Sequence, residues 1–349
     1  MAIDNDLELI RKLPKVELHW HLDGSIRAET AIDLARKNDI ALPTYDPETL
    51  YPPGYDQDTF LRTLFAVCPV IATPDDYRRV AFEAISDGVA AGNVRYAELF
   101  FQATAHPAMS YPEMIAGLVE GIRDAEQATG VRCGLIAGIN RGEDTSVAVE
   151  LVQNMLAHPH EKVIGIGIDG DNFVGPAAKF VEAFDLAERH GLHRTAHAGL
   201  PLEDTADALD LLHCERIDHG YYVLRNRELL ERVVEQRIHH TACWTCASYY
   251  FDTTPEASPI QGMIEAQVST SINTDDPSLF HTDIGEEYVR AAQNLGWDVE
   301  TAFARVLDAI DGAFLPECER AQLRTQLTLE KDSLIAAAGQ SESPTGNSR

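Results

Sequence analysis

Eight short runs of β-forming residues, each followed by a longer stretch of helical period, organise this 349-residue chain. They are Val16–Leu22, Val94–Phe101, Val131–Gly138, Val163–Ile168, His193–Ala198, Arg216–His219, Ile238–Ala242 and Val268–Asn273. Helix-like segments such as Ala177–Arg189 and Asp204–Leu212 lie between them. Strands joined through helices pair in parallel, because each crossover returns the chain to the same end of the sheet. Eight such units in a chain of this size predict a single (β/α)8 barrel of the TIM type. An open doubly wound sheet would need a glycine-rich phosphate turn after its first strand, and VELHWHLDG has none. The longest gap follows the first strand, and its middle, Leu42–Tyr55, is rich in Pro, Tyr and Asp and reads as an irregular loop. With no internal repeat or low-complexity linker, residues 1–338 are expected to form one domain. Residues 339–349, GQSESPTGNSR, are expected to be a disordered tail.

Charge narrows the partners. With 28 Lys+Arg against 56 Asp+Glu the formal net charge is −28, which opposes nucleic acid and an anionic membrane surface alike. Cys68, Cys133, Cys214, Cys243, Cys246 and Cys318 are too few and scattered for a disulfide framework. No run approaches the ~20 apolar residues that span a bilayer, and the opening MAIDNDLELIRKLPK lacks a signal-type apolar stretch. A cytoplasmic protein acting on small molecules is expected, with no assignment of oligomeric state.

The first strand carries His19 and His21 two residues apart, so both imidazoles leave the same face. The pattern alone is weak, since His158-Pro159-His160 repeats the spacing in a polar segment expected to be inert. Further polar groups end later strands: His197 in TAHAG, His219 in RIDHG, and Asp275-Asp276 in SINTDDP. In one barrel these ends converge on the active face. Three imidazoles and a carboxylate suit zinc or a similar divalent ion with room left for water.

KVELHWHLDGSI, TAHAG, ERIDHG and INTDDPSLF resemble, in order and spacing, the signature segments of the adenosine/adenine deaminase family of the metal-dependent amidohydrolase superfamily. VRYAELFF and IDGDN are similar to further family segments, and the likeness covers Lys15 to about Phe280. The resemblance implies a zinc-dependent hydrolytic deaminase of a purine-like or related heterocyclic amine. One Zn2+ per chain would be held by His19, His21, His197 and Asp275. His219 would orient and deprotonate the metal-activated water. Asp276 would accept a hydrogen bond from the substrate ring, the Gly170 backbone would donate one, and Asp23 would support the substrate pocket.

One departure bears on chemistry. The family's His-Ala-Gly-Glu, whose glutamate protonates the ring nitrogen beside the carbon under attack, here reads His197-Ala198-Gly199-Leu200. Leu200 lines the pocket in that pattern but transfers no proton, and a positioned general acid supplies ~10²–10⁴-fold. Glu203 follows closely but reads as a first-turn helix residue, where an acid favours the dipole. TACWTCASYYF replaces the family's Cys-Pro-x-Ser-Asn stretch, and Phe100-Phe101 stand where nucleoside-specific members carry arginine, closer to adenine-type members. The alternatives are a divergent amidohydrolase cleaving another C–N bond without ring protonation, or an inactive metal-binding homologue. A cytidine-deaminase-type site from His213-Cys214-Glu215 and Cys243-x-x-Cys246 has Ala242 in place of the required proline and leaves the strand-end histidines unexplained.

Overall fold

The structure is a computed structural model that describes residues 2–341 other than Tyr55, Pro107, Leu200 and Leu202. Its strands are β1 (Lys15–His21), β2 (Val94–Gln102), β3 (Arg132–Asn140), β4 (Val163–Asp169), β5 (His193–Ala198), β6 (Arg216–His219), β7 (His239–Cys243) and β8 (Thr270–Asn273). They form one eight-stranded sheet in sequence order, each pair parallel. A parallel bridge between Trp20 and Asp275 brings β8 back to β1. There His21 N–H donates to Asp275 O at 2.8 Å and Asp275 N–H to His19 O at 3.0 Å. The (β/α)8 barrel is thus present, and the contact that closes it already places Asp275 beside His19 and His21.

His19 and His21 at the end of β1 face the barrel interior, which fills in polar layers, while a register shift between Glu17 and Trp20 interrupts the alternation below them. At the base, fully buried Arg216 pairs with Glu98 and lies over the Phe314 ring at 4.2 Å. Glu98 also accepts from Tyr96 O–H at 3.0 Å and Phe314 N–H at 2.6 Å. Val16, Leu18 and Trp20 of β1 are buried in the hydrophobic core, and Trp20 packs outward into the helical shell. Helix Pro74–Gly92 closes over that shell, started by a capping box of Thr73 and Asp76. It meets Trp20 at Gly88, where a Cβ would stand 2.4 Å from the indole.

Two expectations change in detail. The Leu42–Tyr55 loop contains a short helix, Pro47–Leu50, capped by Asp46, which accepts from Glu48 N–H at 3.1 Å; Tyr55 lies outside the described residues. The last helix, Glu317–Ser341, carries three residues of the expected tail into regular structure, and 342–349 lie outside the described residues. Helical hydrogen bonding extends through Gly339 because each added turn costs little once the helix is nucleated. Among the described residues no helix is long and apolar enough to cross a membrane, and all six cysteines are free.

Candidate metal centre and active site

β1, β5 and the turn after β8 deliver His19, His21, His197 and Asp275 to one point, their nearest donor atoms all within 4.8 Å of one another. His21 Nε2 stands 3.3 Å from His19 Nε2 and 3.0 Å from His197 Nε2. Asp275 Oδ1 is 3.1 Å from His19 Nε2 and 3.4 Å from His21 Nε2. Burial lowers His21 to about 4 and takes His197 well below the ordinary histidine range. Burial also opposes a charge on His19, but Asp275 and Asp218 outweigh it and raise that group. The same histidines overcome burial at Asp275 and hold its carboxyl well below the usual range. Three imidazole nitrogens and one carboxylate oxygen thus face one another across a buried point. Around a zinc ion at ~2.0–2.1 Å, tetrahedral ligand atoms lie ~3.3 Å apart, so this donor set fits a divalent cation.

Beneath the cluster lies Asp218, fully buried on β6. Its Oδ1 accepts from Thr241 O–H at 2.8 Å and its Oδ2 from Thr195 O–H at 2.7 Å. Thr241 Oγ1 also lies 3.0 Å from His19 Nδ1, while Asp218 Oδ2 is 3.6 Å from His197 Nδ1. Arg216 Nε, 3.7 Å from Asp218 Oδ1, balances the charge. His19 is therefore oriented from behind through Thr241, while His197 Nδ1 lies near the same carboxylate without a hydrogen bond to it.

His219 ends β6 with φ 61°, and its Nε2 stands 3.7 Å from Asp275 Oδ2. Burial lowers it to about 4, so its imidazole is neutral. Asp276 is buried, and burial and the neighbouring Asp275 charge raise its carboxyl well above the usual range. Its Oδ1 has no hydrogen-bond partner. Gly24 leaves the space it occupies, since a Cβ there would lie 1.8 Å from Asp276 Oδ1.

A cavity of about 400 Å³ opens over this cluster. His21, His197, His219, Asp275, Asp276, Gln102, Asp169 and Gly170 line its inner part. Phe60, Phe65, Phe173, Tyr250, Phe251 and Phe280 supply aromatic walls, with Phe60 stacked on Phe280 at 5.1 Å. Phe173 is 72% exposed and Tyr250 50%, so the aromatic wall continues to the mouth. No Lys or Arg is among the described lining residues. Gly170 adopts φ 90°, a left-handed turn that brings its backbone to the cavity.

Asp23 is buried outside the described cavity lining and holds a lining residue, Gln102, from behind. Its Oδ1 meets His106 Nε2 at 2.6 Å and its Oδ2 accepts from Gln102 N–H at 2.8 Å. Its acceptor capacity is spent on protein, so it anchors Gln102 rather than touching a ligand directly. Leu200 lies outside the described residues. Glu203 is exposed at the start of helix Glu203–Asp210 and is absent from the described lining. Its neighbour Asp204 is buried against Arg141, with Nη2 to Oδ2 at 2.8 Å. The same Arg141 Nη2 donates to His197 O at 2.7 Å.

Cys246 lines the cavity and Cys243 is buried at the end of β7. His213 instead bonds Glu188 at 2.9 Å on the exterior, so the cytidine-deaminase-type grouping does not assemble. Asp169, Gln102, Asp218 and Arg141 were not singled out from the sequence. Their only local signal is a polar residue inside or just after an apolar strand.

The family model for adenosine deaminase matches residues 14–329. An adenosine deaminase of Salmonella typhi is 35% identical over 331 residues, covering 90% of this chain and 98% of that enzyme. Among solved structures, a zinc-bound amidohydrolase from Burkholderia ambifaria is 32% identical with TM-score 0.88, covering 97% of this chain and 96% of its own. The adenine deaminase of Arthrobacter aurescens is 28% identical with TM-score 0.85, covering 90% of this chain and 98% of its own.

Proposed function

The chain belongs to the adenosine deaminase family, hydrolases of C–N bonds, and from that premise we propose that it hydrolyses the exocyclic amine of a purine-like heterocycle using one zinc ion. The observation that carries this reading is the convergence of His19, His21, His197 and Asp275 at the floor of an aromatic-walled cavity. These four residues would hold the ion, which would lower the pKa of a bound water towards ~7 and so make hydroxide available at neutral pH.

The remaining chemistry belongs to the chain. His219, neutral and facing the cavity, takes a proton from the attacking water and passes it to the departing amine. Asp276 binds the edge of the heterocycle through its unpartnered Oδ1, and the Gly170 backbone N–H donates from the other side. The aromatic walls stack on a planar ring and exclude water. A neutral base or nucleoside suits a lining without described Lys or Arg better than a phosphorylated one.

The test is hydrolysis of a panel of aminopurines and pterins, adenine and adenosine included, by zinc-loaded enzyme with His219→Ala as control. Release of ammonia by the wild type, reduced ~10²-fold or more in the variant, supports the reading. Equal inertness of both on every compound refutes it, leaving an inactive metal-binding homologue.

A further inference from the structure

We propose that Asp169, held by Gln102 at the end of β4, donates the proton to the heterocyclic ring that the family's glutamate supplies where this chain has Leu200. The inference rests on the deaminase reading above. Four carboxyls are found among the described cavity-lining residues: Asp169, Asp171, Asp275 and Asp276. Asp275 sits among the clustered histidines and Asp276 beside it. Asp171 accepts from Phe173 N–H at 2.9 Å and fastens its own loop. Asp276 and Asp169 are both buried and free of a structural ion pair; with Asp276 assigned to the edge of the heterocycle, Asp169 is the buried carboxyl left for the ring nitrogen.

Its surroundings are built to keep it in place. Gln102 Nε2 donates to Asp169 Oδ2, and Gln102 is itself fixed through its backbone N–H to Asp23. Gln102 Oε1 is buried in the cavity wall without a partner, an acceptor available to a ring N–H or amino group. On β3, Gly138 makes the room: a Cβ there would stand 3.0 Å from Asp169 Oδ2 and 3.2 Å from both terminal atoms of Gln102. β4 adjoins β5, the strand whose exit leads to Leu200, so the acid has moved to the neighbouring strand end.

The local charges suit a donor. Burial raises the Asp169 carboxyl to about 7, against the opposing effects of the Gln102 amide, Arg141 after β3 and His19 on β1, while Asp23 adds to the rise. An acid poised near the operating pH combines the right protonation state with driving force for transfer. As the water oxygen bonds to the amino-bearing carbon, the adjacent ring nitrogen takes the Asp169 proton and His219 takes one from water. The C–N bond then breaks, ammonia leaves with the His219 proton, and the carbonyl forms. The proton shed by the new hydroxyl restores Asp169 through solvent. Water and amine thus give carbonyl and ammonia with both side chains regenerated.

Zinc-loaded wild type, Asp169→Asn and Gln102→Leu are compared on adenine and adenosine, with bound zinc and melting temperature recorded. Wild-type kcat/KM should fall above about pH 7, where Asp169 loses its proton. Asp169→Asn should lose ~10²–10⁴-fold with zinc retained, and its profile should lack that alkaline fall. Gln102→Leu keeps the acid but removes a hydrogen bond to its ionised form, so the fall should move ~0.5 unit or more to higher pH. An Asp169→Asn enzyme within threefold of wild type overturns the proposal while leaving the deaminase reading intact, as does an alkaline limb unmoved in Gln102→Leu. A wild type inert on the whole panel overturns both.

Discussion

Asp218 on β6 supports His19 on β1 through the Thr241 hydroxyl, which donates to Asp218 Oδ1 at 2.8 Å and lies 3.0 Å from His19 Nδ1. The relay sets the His19 tautomer with Nδ1–H facing Thr241, leaving the Nε2 lone pair for the centre. Asp218 also stands 3.6 Å from His197 Nδ1, so its charge lies near two imidazoles of the cluster. Asp218→Asn should weaken zinc affinity ~10–100-fold in a chelator competition, with the fold retained. Unchanged affinity would show that the relay does not act on the metal.

Removing a member of the cluster is a harsher change. Purified wild type is expected to hold about one divalent ion per chain, as a three-histidine, one-carboxylate set can. His19→Ala and Asp275→Ala should each abolish retention after dialysis, read by elemental analysis. Full stoichiometry in both variants would refute the assignment.

Arg141 and Asp204 form a fully buried pair that also reaches the active site, because Arg141 Nη2 donates to His197 O at 2.7 Å. Arg141→Met leaves the Asp204 carboxylate facing Asn172 Nδ2 and Ala177 N–H without its cation. Uncompensated buried charge costs ~3–5 kcal/mol, visible as a lowered urea midpoint. A loss below ~1 kcal/mol would mean that Asp204 relaxes to its remaining donors.

Stability should also depend on pH through Glu287, which is fully buried among Thr245, Thr282 and Arg290. Burial raises it from 4.5 to about 7 in the folded chain, against the opposing hydrogen bonds. Below about 4.5 both states are protonated; between there and about 7 the unfolded chain ionises first, so stability falls as pH rises. That fall should be ~2–3 kcal/mol smaller in Glu287→Gln, measured by urea unfolding at pH 5 and pH 7.5. Parallel pH curves for the two proteins would place the Glu287 pKa near its ordinary value.

The β-type runs were legible because a buried parallel strand reads as a short β-branched or apolar run whatever its partners. The His19–His21 pair was legible because side-chain period on a strand is local geometry. By contrast, Gln102 and Asp169 are 67 residues apart and Arg141 and Asp204 are 63. No local pattern marks such pairs, because each member taken alone is an ordinary polar residue at a strand end. Asp23 shows the same limit: the resemblance implied that it supports the pocket, but its partners His106 and Gln102, 83 and 79 residues away in the chain, carry no local signal.

The order of residues alone determined the alternation of strands and helices, and with it the barrel whose strand ends carry His19, His21, His197, His219 and Asp275. Which acids stay as carboxylates, which are pushed towards the neutral form and which meet a guanidinium was decided only by the closed barrel. Desolvation and pairing depend on what lies within a few ångströms in space, and closure brings together groups that hundreds of intervening bonds keep apart in the chain.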